Sequence, residues 1–178
     1  MDDNRLIPLL KNPKTRELAF NQVVDLYKER LYWQIRRMVL SHDDADDVLQ
    51  NTFIKAWQGL DAFRGEAQLS TWLFRIASNE TLSFLEKKRP LQSLDDGGCT
   101  VADQLESAPY FDGDATERQL QQAIAGLPER QRQVFLMKYY DEMPYGEMSR
   151  ALDTSVGALK ASYHHAVKKI SDFFHRHD

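Results

Sequence analysis

Cysteine is almost missing from this chain: Cys99 stands alone among 178 residues. That excludes an intramolecular disulfide and a cysteine-based metal cage, and it fits a reducing compartment. No apolar run approaches the roughly 20 residues that a membrane span needs. The first residues, MDDNRLIPLLKNP, place acids where a signal peptide needs positive charge, so a cytoplasmic protein without a membrane span is expected. Strand-like alternation of apolar and polar residues is lacking throughout, which argues against a sheet. Basic residues are missing from one stretch: between Pro90 and Ala115 stand Asp95, Asp96, Asp103, Glu106, Asp112 and Asp114, with no Lys or Arg. The net charge of −4 is therefore uneven, because this stretch alone carries −6 and the remainder sums to +2. An acidic total is unusual for a nucleic-acid binder, but here the acidity belongs to one segment.

What is present is enough apolar matter for a core, 42% hydrophobic against 28% charged residues, and it is arranged with helical period. Phe20, Val24, Tyr27, Leu31, Ile35 and Met38 recur at steps of three and four and mark one face of a helix. After the helix-starting cluster Ser41 to Asp44, a second helix turns Ala45, Val48, Leu49, Thr52, Phe53, Ala56, Trp57 and Leu60 inward. A loop from Asp61 to Gln68 leads to a third helix near Ser70, which carries Trp72, Leu73, Ile76, Ala77 and Leu85 to a basic end at Lys87, Lys88 and Arg89. Pro90 disfavours further helix. Residues Leu91 to Ala115, with three glycines and a proline among the acids, lose the period and read as a linker. Helical patterning resumes at Leu120, Ile124 and Leu127, and Pro128 suits the first turn of a further helix that buries Val134, Phe135, Met137 and Tyr139. The expectation is an all-α chain of two small helical domains, 1–90 and 116–178, joined by a flexible acidic linker over 91–115.

The last third holds a short helix over Tyr145 to Leu152, a tight turn at Asp153 and Thr154, and a longer helix from about Ser155. This is helix-turn-helix spacing. Thr154 or Ser155 is placed to cap the second helix. Residues at 100° intervals put Val156, Leu159, Tyr163, Ala166, Ile170 and Phe173 on one stripe and Gly157, Lys160, Ala161, His164, His165 and Lys168 on the other. A recognition helix needs such a division, one face welded to the domain and one with small residues and cations for the major groove; a solvated face on an ordinary amphipathic helix shows the same pattern. The pairs His164/His165 and His175/His177 suggest a metal site only weakly, since adjacent helical residues diverge and no carboxylate completes a zinc set. No cofactor is expected.

Three ordered segments resemble the bacterial sigma factors of RNA polymerase, specifically the extracytoplasmic-function group, which keeps only the second and fourth conserved regions. DDADDVLQNTFIKAW, Asp43 to Trp57, is similar to the polymerase-binding helix. FRGEAQLSTWLFRIASNE, Phe63 to Glu80, is similar to the segment that opens and reads the minus-ten element. LPERQRQVFLMKYYDEMPYGEMSRAL, Leu127 to Leu152, looks like the start of region four. The resemblance implies a sigma factor that binds core RNA polymerase, at clamp and flap, directs promoter-specific initiation and catalyses nothing. It implies polymerase contacts from Asp43, Asp46, Asp47, Gln50 and Asn51; alternatively, the acids merely favour the positive end of a helix dipole. Contacts to minus-ten DNA are implied for Phe63, Arg64, Gly65, Arg75, Asn79, Lys87, Lys88 and Arg89, with a flipped base held by the loop around Phe63 to Ala67. Trp72 is read as core. Contacts to minus-thirty-five DNA are implied for Ser155, Gly157, Ala158, Lys160, Ala161, His164, His165 and Lys168. The acidic linker would follow the polymerase's RNA path, or act as a plain solubilising tether. An anti-sigma factor covering these surfaces is a further expected partner beside promoter DNA.

Two departures stand out. The recognition helix is poor in arginine, with Ala161, Ser162, His165 and Val167 where the family commonly has several, so phosphate contacts are fewer. Asp153 stands at the turn position that is commonly Gly, and Asp tolerates left-handed backbone better than most residues. The rival readings are a stand-alone helix-turn-helix regulator, which leaves the N-terminal half unexplained, and a metalloenzyme, which leaves the helix-turn-helix unexplained.

Overall fold

The computed structural model describes residues 3–92 and 115–177; the acidic segment between them, Cys99 included, lies outside the described residues. Among the described residues the chain is helical, in the order α1 (Asp3–Lys11), α2 (Arg16–Val39), α3 (His42–Gly59), a short 3-10 turn (Leu60–Ala62), α4 (Leu69–Gln92), α5 (Ala115–Ala125), α6 (Glu129–Tyr139), α7 (Tyr145–Leu152) and α8 (Val156–His177).

α2 buries Phe20, Val23, Tyr27, Leu31, Ile35 and Met38, the spacing of one helical face. It ends where Leu40 takes a left-handed conformation, φ 65°, and its N–H bonds back to the Arg36 carbonyl; this is a C-terminal cap made without glycine. The next helix starts at once. The Ser41 hydroxyl accepts from the Asp44 N–H, satisfying one of the free donors of the first turn of α3. α3 buries only a narrow stripe, Ala45, Val48, Thr52 and Ala56, and the Thr52 hydroxyl is satisfied by donating to the Val48 carbonyl at 2.8 Å. α4 supplies the middle of the N-terminal half through Leu69, Leu73, Phe74 and Ala77, all wholly buried. Gln34 of α2 donates to Ser78 of α4 at 3.3 Å across that core.

α1 was not foreseen in the sequence. Nine residues interrupted by Pro8 are too short to show a period, yet Leu6 and Leu10 are buried against α2 and its neighbours. Its C-terminal carbonyls are taken up by later side chains, Leu9 by the Thr15 hydroxyl at 2.8 Å and Leu10 by Arg16 Nε at 3.0 Å. The end of α4 also departs from expectation. The helix continues two residues beyond Pro90, forgoing only the single bond that the absent N–H would have made near its last turn.

In the C-terminal half α8 packs on α5, α6 and α7. α7 and α8 form the expected helix-turn-helix: Asp153 sits in the left-handed region at φ 51° and ψ 45°, and Ser155 caps α8 by accepting from the Ala158 N–H at 3.2 Å. Leu159, Ala166 and Ile170 face inward, as the stripe required. Val156 and Tyr139, expected inside, are exposed; Val156 lies in the first turn beyond the packed part of the helix, and Tyr139 covers the face of Phe135 at 5.2 Å rather than entering the core. The two halves also touch. α7 packs on α4, and α6 on α2, so that one continuous apolar cluster runs from Leu31 and Leu73 to Met137, Met148 and Leu159.

Candidate functional site

Three surfaces collect the residues that the sequence singled out, and each is produced by the way its helix is buried. Because α3 spends only a narrow stripe on the core, the rest of its circumference is free. Asp43, Asp46, Asp47, Gln50 and Asn51 are all exposed there. Asp46, Asp47 and Gln50, with Val24, Leu49 and Phe53, line a groove of about 420 Å³ between α2 and α3, together with Lys28, which is paired with Asp25 at 2.8 Å. Leu49 and Phe53 are half-buried rather than inside, and Trp57, expected in the core, is 42% exposed, held at its edge by Phe20 at 5.1 Å. Ile54, one turn before it on α3, is exposed as well. The result is an acidic margin next to apolar side chains, a combination suited to a basic and partly apolar protein partner. Trp57 reads as core in the sequence because it falls on the helical stripe, whereas Ile54 and the likewise exposed Leu18 fall off the stripes and carry no assignment there.

Asp44 points elsewhere. It forms an ion pair with Lys88 at the far end of α4, which ties the start of the acidic helix to the end of the basic one and turns Lys88 away from open solvent. His42 joins the same margin, its Nδ1 2.6 Å from the Tyr32 hydroxyl and its Nε2 3.4 Å from Asp46.

The second surface is the loop between the 3-10 turn and α4, with the outer face of α4. Phe63 is buried, with 7% exposure, its ring 4.7 Å from that of Trp72. Phe63 and the half-buried Trp72 together make an aromatic floor under the loop. Arg64, Gly65 and Glu66 are exposed above it. Gly65 has φ +76°, a conformation that a side chain would strain. Along α4, Arg75 and Asn79 are exposed one turn apart, and Lys87 is exposed further on. The side chain of Arg89 lies outside the described residues.

The third surface is the outer face of α8. Ser155, Gly157, Ala158, Lys160, Ala161, His164, His165 and Lys168 are all exposed. A Cβ on Gly157 would meet nothing within 4 Å, so internal packing does not require glycine there. Tyr145, at the start of α7, lies between two cations, Lys138 at 5.0 Å and Lys160 at 5.8 Å from its ring; this extends the basic edge beyond the recognition helix and had no signal in the helical period. The His164 and His165 rings stand 6.1 Å apart, and among the described residues no group of three His, Cys, Asp or Glu could hold a metal ion. No helix among the described residues is long and apolar enough to cross a membrane.

A helix-turn-helix with a basic outer face, a second exposed loop and helix carrying cations, and a separate acidic and apolar groove are together the features of a DNA-binding protein with a protein partner. The comparisons name the family. Residues 23–90 match the model of sigma-70 region 2 and residues 117–170 that of sigma-70 region 4. The chain is 34% identical over 156 residues to the ECF RNA polymerase sigma factor SigW of Bacillus subtilis, covering 82% of this chain and 83% of that one. To the ECF RNA polymerase sigma-E factor of Escherichia coli K12 it is 30% identical over 171 residues, covering 89% and 88%. This chain belongs to the sigma-70 family, within the ECF RNA polymerase sigma factors, and is a transcription initiation factor. The fold is likewise that of two solved structures. CnrH, in complex with the cytosolic domain of CnrY, superposes with TM-score 0.72 over the whole of both chains at 23% identity. RpoE of Bartonella quintana, in complex with the anti-sigma factor NepR, gives 0.69 at 24% identity over 87% of this chain and 96% of that one.

Proposed function

We propose that the three surfaces divide the work of promoter-specific initiation. The outer face of α3, with Asp43, Asp46, Asp47, Gln50 and Asn51 beside the groove to α2, docks on core RNA polymerase. The loop from Phe63 to Gln68 and the exposed face of α4 capture the separated minus-ten DNA. The outer face of α8 reads the minus-thirty-five element, with few phosphate contacts because it is poor in arginine. The domains are 1–90 and 116–178, with 91–115 as the tether. All of this is binding, with no bond made or broken by the chain itself, and the setting is the cytoplasm. The exposed acidic margin that takes up α3 is the surface an anti-sigma factor would cover; CnrY and NepR accompany the two similar solved structures.

The observation that carries this reading is the use of α3. A helix that buries only Ala45, Val48, Thr52 and Ala56 and leaves Asp46, Asp47, Ile54 and Trp57 in solvent is stable yet leaves a charged and apolar face without an internal role. A helix-dipole role would account for acids in the first turn, Asp43 and Asp44, but not for Asp47, Ile54 and Trp57 further along. The test is the affinity of the purified protein for core polymerase. Asp46→Ala/Asp47→Ala is expected to weaken it by about tenfold or more, in line with the loss of charges that orient a docking face, while the circular dichroism and melting temperature stay near those of the parent. Undiminished affinity would remove α3 from the interface.

A further inference from the structure

The N-terminal helix, for which the sequence offered no role, ends against the loop that is read above as the single-strand site. Lys11, its last residue, donates from Nζ to the carbonyl of Arg64 at 3.2 Å, a contact between residues 53 apart in the chain. Arg16, the first residue of α2, links the end of α1 to the 3-10 turn before the loop. Its Nε bonds the Leu10 carbonyl and its Nη2 pairs with Asp61 at 2.6 Å. Packing agrees with the polar contacts, since a Cβ placed on Gly65 would lie 3.4 Å from Ile7 Cγ2 and 3.8 Å from Lys11 Nζ. Between α1 and the loop lies an open groove of about 410 Å³, lined by Lys11, Arg16, Leu60, Asp61, Phe63 and Arg64. Its rim carries three cations against one carboxylate, and that carboxylate is already held by Arg16.

We infer that α1 forms the second wall of the single-strand site: Lys11 fixes the loop through the Arg64 carbonyl and, with Arg16 and Arg64, receives a backbone phosphate of the DNA strand whose base the loop takes up. This rests on the assignment of the loop to separated DNA. The chemistry is that of a single-stranded polyanion, whose backbone is followed by cations while its bases are taken up by the loop. A phosphate contact of this kind positions the strand and carries no sequence information itself. An ammonium on the rim of an open groove can serve both roles, because it has three donors and the Arg64 carbonyl uses one. Lys11 is thus a positioning and phosphate-binding residue, distinct from any group that reads the base.

The test uses the full chain assembled with core polymerase and a fluorescent forked duplex whose single-stranded tail has been selected from a random pool by the wild-type holoenzyme. Lys11→Gln is expected to weaken tail binding by about fivefold and to lower the salt dependence of log K by about 0.7, the contribution of one phosphate contact on a single strand. Lys11→Arg is expected to restore both, and Arg16→Gln to lower the slope in the same way. Binding of each variant to core polymerase is expected to match the parent. Lys11→Gln with the parent's affinity and salt slope overturns the inference, as does Lys11→Arg that binds as weakly as Lys11→Gln. If the pool yields no tail at all, the loop's assignment to separated DNA fails, and this role for α1 fails with it; a selected tail that is indifferent to Lys11 overturns the role of α1 alone.

Discussion

Asp141, just past α6, is the residue whose protonation the fold disturbs most visibly. One of its carboxylate oxygens is buried without a hydrogen-bond partner, and it shares a groove with Arg30 and Arg37 of α2. Burial pushes its pKa up to about 6, and the two arginines only partly oppose this. A folded-state pKa above the usual carboxylate value favours the protonated form, so its stabilising share is complete below about pH 4 and is lost as pH rises through 6. Above that, holding the ionised group costs on the order of 3 kcal/mol. Asp141→Asn is therefore expected to melt higher than the parent at pH 8 and level with it near pH 4.5. A gap that does not widen with pH in thermal melts would contradict the buried carboxylate. Asp153 is the second informative residue. It caps α7 from the left-handed region, where a β-branched side chain is strained, so Asp153→Val is expected to lose roughly 1–2 kcal/mol in urea unfolding while Asp153→Gly stays within a few tenths. Equal stability of the two variants would mean that the turn does not need that conformation.

Single elements show how far local pattern reaches. The period of three and four located α2, α3, α4 and α8 because each has a long packed face, and the cap and turn residues Ser41, Asp153 and Ser155 marked their ends. Where packing is partial, the pattern misleads. Trp57 and Val156 lie on an apolar stripe and were expected inside, yet Trp57 is covered at its edge by Phe20 and remains 42% exposed, and Val156 in the first turn of α8 is exposed as well. α1 escaped for the opposite reason: Leu6 and Leu10 offer one contact pair, too few to establish a period. Each surface inherits this limit. The exposed acids of α3 and the small and basic residues of α8 were legible from charge and spacing. The apolar part of the docking face, the Lys138–Tyr145–Lys160 contacts and the α1 wall depend on residues distant in sequence. For α8 the expected consequence of a thin basic face is modest reliance on charge. Lys160→Ala should weaken upstream-element binding by the holoenzyme about three- to tenfold and lower the salt slope by about one, leaving core binding intact. An unchanged slope in a fluorescence titration would place Lys160 away from the phosphates.

At the scale of the whole molecule, two helical units were legible and their packing was not. An apolar stripe says that a face is covered, without saying by what. The structure covers part of α4 with α7 and part of α2 with α6, and stacks Arg37 on Tyr140 with 4.3 Å between guanidinium and ring centre. The halves thus share a core, while the docking face of α3, the loop before α4 and the outer face of α8 all remain open to solvent. Family membership makes the chain an initiation factor, and the proposed division of that work among three surfaces rests on which side chains each helix leaves exposed. Run-off transcription with core polymerase on fragmented genomic DNA tests that division most directly. Adding the wild-type chain is expected to produce discrete start sites that core polymerase alone does not make, and the Asp46→Ala/Asp47→Ala variant is expected to abolish most of that signal. A start-site pattern identical with and without the protein, or one that the double variant leaves untouched, would contradict it.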